Sequence, residues 1–133
     1  MAAKKPQMLT RAESAVMRVL WRLKRATVHE TQKELGKRLA YTTVLSVLQL
    51  LERKGYVTHQ SHEDGGRAHV FVPKLSEAQA RKVHTRDLVD RLFDGAPDAL
   101  VCGVLETESM SRAELQRLRE RIDSLLDDAE EDK

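Results

Sequence analysis

Four stretches of this chain repeat one device: "TRAE" (Thr10–Glu13), "TVHE" (Thr27–Glu30), "SEAQ" (Ser76–Gln79) and "SRAE" (Ser111–Glu114). In each, a hydroxyl residue stands three positions before a Glu or Gln. The hydroxyl accepts from the third helical amide, and the longer side chain reaches back to the N–H of the cap. A chain that does this four times in 133 residues is committed to helices with fixed starting points. Apolar residues at helical spacing follow each box. The first helix is predicted over about Arg11–Lys24, burying Ala15, Val16, Val19, Leu20 and Leu23. The second is short, about Val28–Leu35, and Gly36 is its stop.

A third helix, about Tyr41–Lys54, needs no box. It buries Val44, Val47, Leu48 and Leu51, and Gly55 stops it. The period then changes. "YVTHQS" (Tyr56–Ser61) and "AHVFVP" (Ala68–Pro73) are short, β-branched or aromatic, and roughly alternating. The charged, glycine-bearing "HEDGGR" lies between them, as expected of a β-hairpin. A fourth helix is predicted from Ser76 to Phe93. "DGAPD" breaks it, and Pro97 opens a brief fifth helix, "DALVCGVLE". The sixth should run from Arg112 to about Leu126, with the acidic tail "DDAEEDK" frayed. The expected fold is mainly α with a small β-hairpin wing. Three helices and then a hairpin is the order of a winged helix-turn-helix domain, expected over residues 1–74 and followed by a helical domain over residues 75–133.

Charge divides the same way. Residues 1–74 hold 14 Lys/Arg against 6 Asp/Glu, a net +8, whereas residues 75–133 hold 9 against 15, a net −6. Only the first half suits a polyanion. In the third helix Thr42, Ser46, Gln49 and Arg53 recur at i, i+4, i+7 and i+11, one polar stripe without an acid. A solvated stripe usually carries Glu and Lys. Hydroxyls and amides instead suit base edges and phosphates, where a carboxylate would be repelled. In a winged helix this third helix enters the major groove and the wing touches the backbone. Arg53, Lys54 and the wing residue Arg67 would supply charge, and Thr27 caps a helix whose first amides could accept a phosphate.

The words "LTRAESAVMRVLW", "ATVHE", "AYTTVLSVLQLLERKGYV", "GRAHVFVPKLS" and "LVDRLFDGA" follow in that order. Together they closely resemble the penicillinase-repressor family, the bacterial winged-helix repressors of β-lactamase and methicillin-resistance genes. The likeness extends from about Leu9 to Leu126. It implies a homodimer that binds a palindromic operator in double-stranded DNA through its N-terminal domain and pairs through its C-terminal helices. It also implies, by position, that Thr42, Thr43 and Ser46 are recognition-helix contacts and that Arg67 is the basic wing-tip residue. Leu50 departs from the Arg that many relatives carry there. In the best-known members a membrane-embedded metalloprotease sensor triggers cleavage of the dimerisation domain. The bond concerned falls near Gly103 and Val104, within "LVCGVLE", where this chain lacks the Asn-Phe pair of those relatives.

The dimer contacts expected are Leu88, Leu92, Phe93, Leu100 and Val104, with the Leu115, Leu118, Ile122, Leu125 seam at i, i+3, i+7, i+10. A helical unit under 60 residues is small for a core of its own, which favours pairing across a two-fold axis. His59, His62 and His69 could converge on the hairpin, but zinc and copper sites usually use closer ligand sets or cysteines, so no metal or other cofactor is expected. The lone Cys102 is expected to be a buried, inert thiol. No Gly-rich phosphate loop or nucleophile motif points to an enzyme. Neither a signal peptide nor a span of about 18 apolar residues is present, so a cytoplasmic protein is expected without membrane insertion. Two rival readings remain: a metal- or redox-responsive winged-helix regulator, and a winged-helix module that binds protein.

Overall fold

The computed structural model describes residues 8–36, 38–61 and 69–131. Its elements are α1 (Arg11–Leu23), α2 (Val28–Glu34), α3 (Tyr41–Arg53), β1 (Val57–Ser61), β2 (His69–Pro73), α4 (Glu77–Leu92), α5 (Pro97–Thr107) and α6 (Arg112–Glu131). The chain divides into two compact units at Leu88/Val89, inside α4.

All four boxes close. In α1 the Thr10 hydroxyl accepts from the Glu13 N–H at 3.2 Å, and Glu13 Oε1 accepts from the Thr10 N–H at 2.7 Å. The same reciprocal pairs form at Thr27/Glu30, Ser76/Gln79 and Ser111/Glu114. Each satisfies two amides that helix geometry would leave unpaired.

The core of the first unit is assembled from one face of each helix and the hairpin. Val16, Met17 and Leu20 of α1 meet Val44, Leu48 and Leu51 of α3, with Val28, Tyr56, Val57, Phe71 and Ala80 around them. A fully enclosed side chain such as Leu48 makes truncation to alanine cost about 2–5 kcal/mol. The burial expected of α1 is adjusted: Met17 is enclosed, Ala15 is half-buried and Leu23 is exposed. Val47, expected inside on α3, is half-buried. The two strands pair antiparallel, with Val57 opposite Pro73, His59 opposite Phe71 and Ser61 opposite His69. Ala26, between α1 and α2, adds a bridge to Phe71, with N···O distances of 3.0 and 2.8 Å. Trp21 Nε1 donates to the Leu75 carbonyl at 2.9 Å, fixing the chain as it leaves the hairpin.

The start of α4 belongs to this unit, since Ala80 is in the core. His84 Nε2 lies 3.3 Å from the Leu9 amide nitrogen and 3.1 Å from the Tyr56 hydroxyl. A backbone N–H can only donate, so Nε2 is unprotonated and the tyrosine donates to it. Burial, with the Glu13 and Asp87 carboxylates nearby, raises the Tyr56 phenol above its ordinary value and keeps that proton in place.

The second unit begins with the last turn of α4. Asp94 and Gly95 take positive φ, and the Gly95 N–H donates to the Val89 carbonyl at 3.0 Å, ending the helix. Pro97 then opens α5. A first side-chain carbon on Gly103 would stand 3.5 Å from the Phe93 ring, an ordinary contact, so α5 and that ring pack without requiring glycine there. The sixth helix continues to Glu131 instead of ending near Leu126. Alanine and glutamate in "DDAEE" are good helix formers, and their propensity outweighs the acidic run.

One contact joins the start of α1 to the end of α3. Lys54 Nζ lies 2.8 Å from Glu13 Oε1, and Glu13 is almost wholly enclosed. Burial pushes the Glu13 carboxyl up, but hydrogen bonds from Lys54 and Thr10 outweigh it, so its pKa is lowered. A depressed carboxylate contributes stability above its unfolded pKa and loses it as pH falls through the folded value. Glu13→Gln should therefore cost about 1.5–3 kcal/mol at neutral pH. It should also flatten the loss of stability on acidification below about pH 4.5. Denaturant unfolding at pH 7 and pH 3.5, followed by the fluorescence of the single Trp21, checks both. Equal acid sensitivity in wild type and variant would contradict the assignment.

Candidate nucleic-acid interface

In α3 the residues Val44, Leu48 and Leu51 are buried, and the helix must turn its opposite side outward. That side carries Thr42, Ser46, Gln49 and Arg53, all exposed, with Thr43 beside them. The structure thus brings five of the eight sequence-predicted contacts onto one surface. The Ser46 hydroxyl donates to the Thr42 carbonyl at 2.9 Å, which orients the oxygen and leaves its lone pairs to accept from outside. Arg53 has no ion-pair partner among the described residues. The helix starts at Ala40 without a side-chain cap. Its first amides therefore add donors at the same end as Thr42 and Thr43.

Lys54 is a correction. Its side chain is 12% exposed and its ammonium rests on Glu13 and the Met8 carbonyl, so it serves the fold and not a phosphate. One residue along a helix turns a side chain by about 100°, enough to send Arg53 outward and Lys54 inward. Thr27 is half-buried, and its oxygen accepts from the Glu30 N–H, so capping is the role the structure gives it. Arg67 and the rest of the hairpin turn lie outside the described residues.

Sequence reasoning missed two features at this surface. His29 of α2 and Tyr41 of α3 pack with ring centroids 4.6 Å apart and planes tilted by 46°, both exposed, at the start of α3. Their separation of twelve residues carries no periodic signal. His59 of β1 lies 2.6 Å from Glu52 of α3 through Nδ1 and packs against His69, centroids 4.7 Å apart. This pairing ties the hairpin to α3 and sets the acid of α3 against an imidazole, away from the polar row. No cluster of three or more metal-binding side chains forms among the described residues, which do not include His62. Leu50, singled out in the sequence, is exposed beside Ser46.

In the second unit, α5 buries none of its residues. Leu92, Val104, Leu115, Leu118, Ile122 and Leu125 are exposed on the single chain, Leu92 at 72%. Phe93 and Leu100 are half-buried there, as is Leu88 in the first unit. A groove of about 310 Å³ runs between α5 and α6, walled by Val101, Leu105, Leu115, Leu118 and Ile122. Cys102, expected to be buried, is exposed, because the aliphatic residues around it point outward too. Gly103 and Val104 sit mid-helix, and the Gly103 carbonyl accepts from the Thr107 hydroxyl at 2.8 Å. No helix among the described residues is long and apolar enough to cross a membrane.

Comparison with known proteins agrees with this anatomy. The family model described as Penicillinase repressor matches residues 9–124. A penicillinase repressor from Bacillus licheniformis is 29% identical over 117 residues, covering 86% of this chain and 89% of that protein. A solution structure of the monomeric form of Bacillus licheniformis BlaI in complex with the blaP half-operator is 32% identical. It covers 57% of this chain and 90% of its own, with a TM-score of 0.46. A crystal structure of a mutant MarR from E. coli is 18% identical and covers 89% of this chain and 78% of its own, with a TM-score of 0.50, a likeness of fold alone. With its family model matched from the first capping box into α6, this chain belongs to the penicillinase repressor family.

Proposed function

We propose that the chain is a bacterial transcriptional repressor that binds a palindromic operator in double-stranded DNA as a homodimer. The observation that carries this reading is the exposed, acid-free row on α3, set on the basic half of a penicillinase repressor family chain. Threonine and serine hydroxyls and the Gln49 amide present both donors and acceptors, as readout of base edges requires. Arg53 supplies a phosphate contact. The family favours a β-lactamase-type or related stress or resistance operon as the target.

The exposed aliphatic face of the second unit supports dimerisation through residues from about 75 onward. The Leu115–Leu125 seam and the groove beside it would otherwise stand in water, and a second copy can cover them symmetrically. Release by a membrane metalloprotease sensor cutting near Gly103-Val104 fits the same anatomy. The bond lies within α5, between the end of α4 and the Leu115–Leu125 seam. A cut there would separate the seam from the DNA-binding half and remove the advantage of two linked half-sites.

Three outcomes are expected. Replacing Thr43 and Ser46 together by alanine should cost about 1–3 kcal/mol on the cognate site and little on random DNA. Competition titrations check this, and unchanged discrimination would reject α3 as the reader. Arg53→Ala should lower the dependence of log affinity on log salt by about one unit, whereas Lys54→Gln should leave that slope alone while lowering stability. Equal slopes for Arg53→Ala and wild type would remove Arg53 from the interface. Ile122→Lys should convert a dimer into a monomer in sedimentation equilibrium. A wild-type chain that sediments as a monomer at micromolar concentration would sink the homodimer.

A further inference from the structure

Thr43, Ser46, Leu50 and Arg53 stand at i, i+3, i+7 and i+10, a continuous row along one side of α3. Three of them carry hydrogen-bonding groups. The fourth is a leucine, and it is the only aliphatic side chain of α3 that is exposed, at 37%. A lone exposed leucine is ordinary on a protein surface. This one is flanked by Ser46 one turn before it and Arg53 one turn after it, in the midst of the surface read above as facing base edges. A polar residue there would be better hydrated in the free protein and would offer the groove another donor.

We propose that Leu50 is a specificity-determining residue that packs on the C5-methyl group of a thymine in each half-site. The inference rests on the DNA-reading role proposed for α3. Thymine alone among the bases presents a methyl group in the major groove. Leucine has neither donor nor acceptor. Over a guanine or adenine edge it would desolvate the N7, O6 or N6 groups and return nothing, and over cytosine it would desolvate the N4 amino group. Over thymine it buries methyl against methyl. Leu50 therefore selects by attraction to one base and by penalty against the other three.

The test uses the full-length chain and duplexes enriched from a random library. Each thymine of the enriched site is replaced in turn by deoxyuridine, which keeps every hydrogen-bonding group and removes only the methyl. The wild-type chain should lose about fourfold in affinity at one thymine per half-site. Leu50→Ala should lose nothing at that thymine and retain the wild-type response at every other position. Placing 5-methylcytosine there should bind the wild-type chain more tightly than cytosine. Leu50→Arg, a second variant at an exposed position, should move the preferred base toward guanine, which arginine contacts in bidentate fashion. A site in which every thymine tolerates deoxyuridine overturns the proposal, as does a Leu50→Ala chain that keeps the full methyl dependence. A library that yields no enriched sequence overturns the DNA-reading role itself, which separates the two failures.

Discussion

The contact between Glu13 and Lys54 decides which way the end of α3 faces. The Glu13 carboxylate is enclosed and accepts from the Thr10 amide and the Lys54 ammonium. An uncompensated charge at that depth would cost several kcal/mol, so the partner must stay. The lysine that meets it is the residue directly after α3, and its position fixes the rotation of the last turn. With Lys54 turned in, Arg53 turns out, in line with Gln49, Ser46 and Thr42. The same box that starts α1 thus orients the row proposed to read DNA. From that point the aliphatic packing of Val44, Leu48 and Leu51 holds the row outward along the length of the helix.

Most of the fold was legible because its signals are local. A capping box needs only three residues' separation, and all four predicted boxes form. The hairpin follows from a change of period between Gly55 and Pro73. The exposed row on α3 follows from helical spacing. What the sequence hid is long-range. Lys54 and Glu13 are 41 residues apart, and nothing in "ERKG" distinguishes the lysine that folds inward from the arginine that does not. The Ala26–Phe71 bridge and the Leu9–His84 contact are more remote still in sequence. Helix propensity carried α6 past Leu126, where charge alone suggested fraying.

The two units divide the work by their surfaces. The first encloses its apolar side chains and turns a polar, basic face outward. The second leaves a row of leucine, valine and isoleucine in water and encloses almost none of its own. A net +8 in residues 1–74 and −6 in residues 75–133 fit one surface to phosphate and keep the other from it. In the proposed homodimer, tying two basic faces through one aliphatic seam would give a palindromic site an effective-concentration advantage that neither half has alone.

The central claim, that α3 with its neighbouring strands faces nucleic acid, is tested most directly by amide chemical-shift changes when a mixed-sequence duplex is added at low salt. Even sequence-independent binding engages the basic reading face. The account predicts that the largest changes fall on Thr42, Thr43, Ser46, Gln49, Leu50 and Arg53 and on the β1–β2 hairpin, with α6 little affected. Changes concentrated in α5 and α6, or on the Arg18 side of α1 with α3 silent, would contradict it.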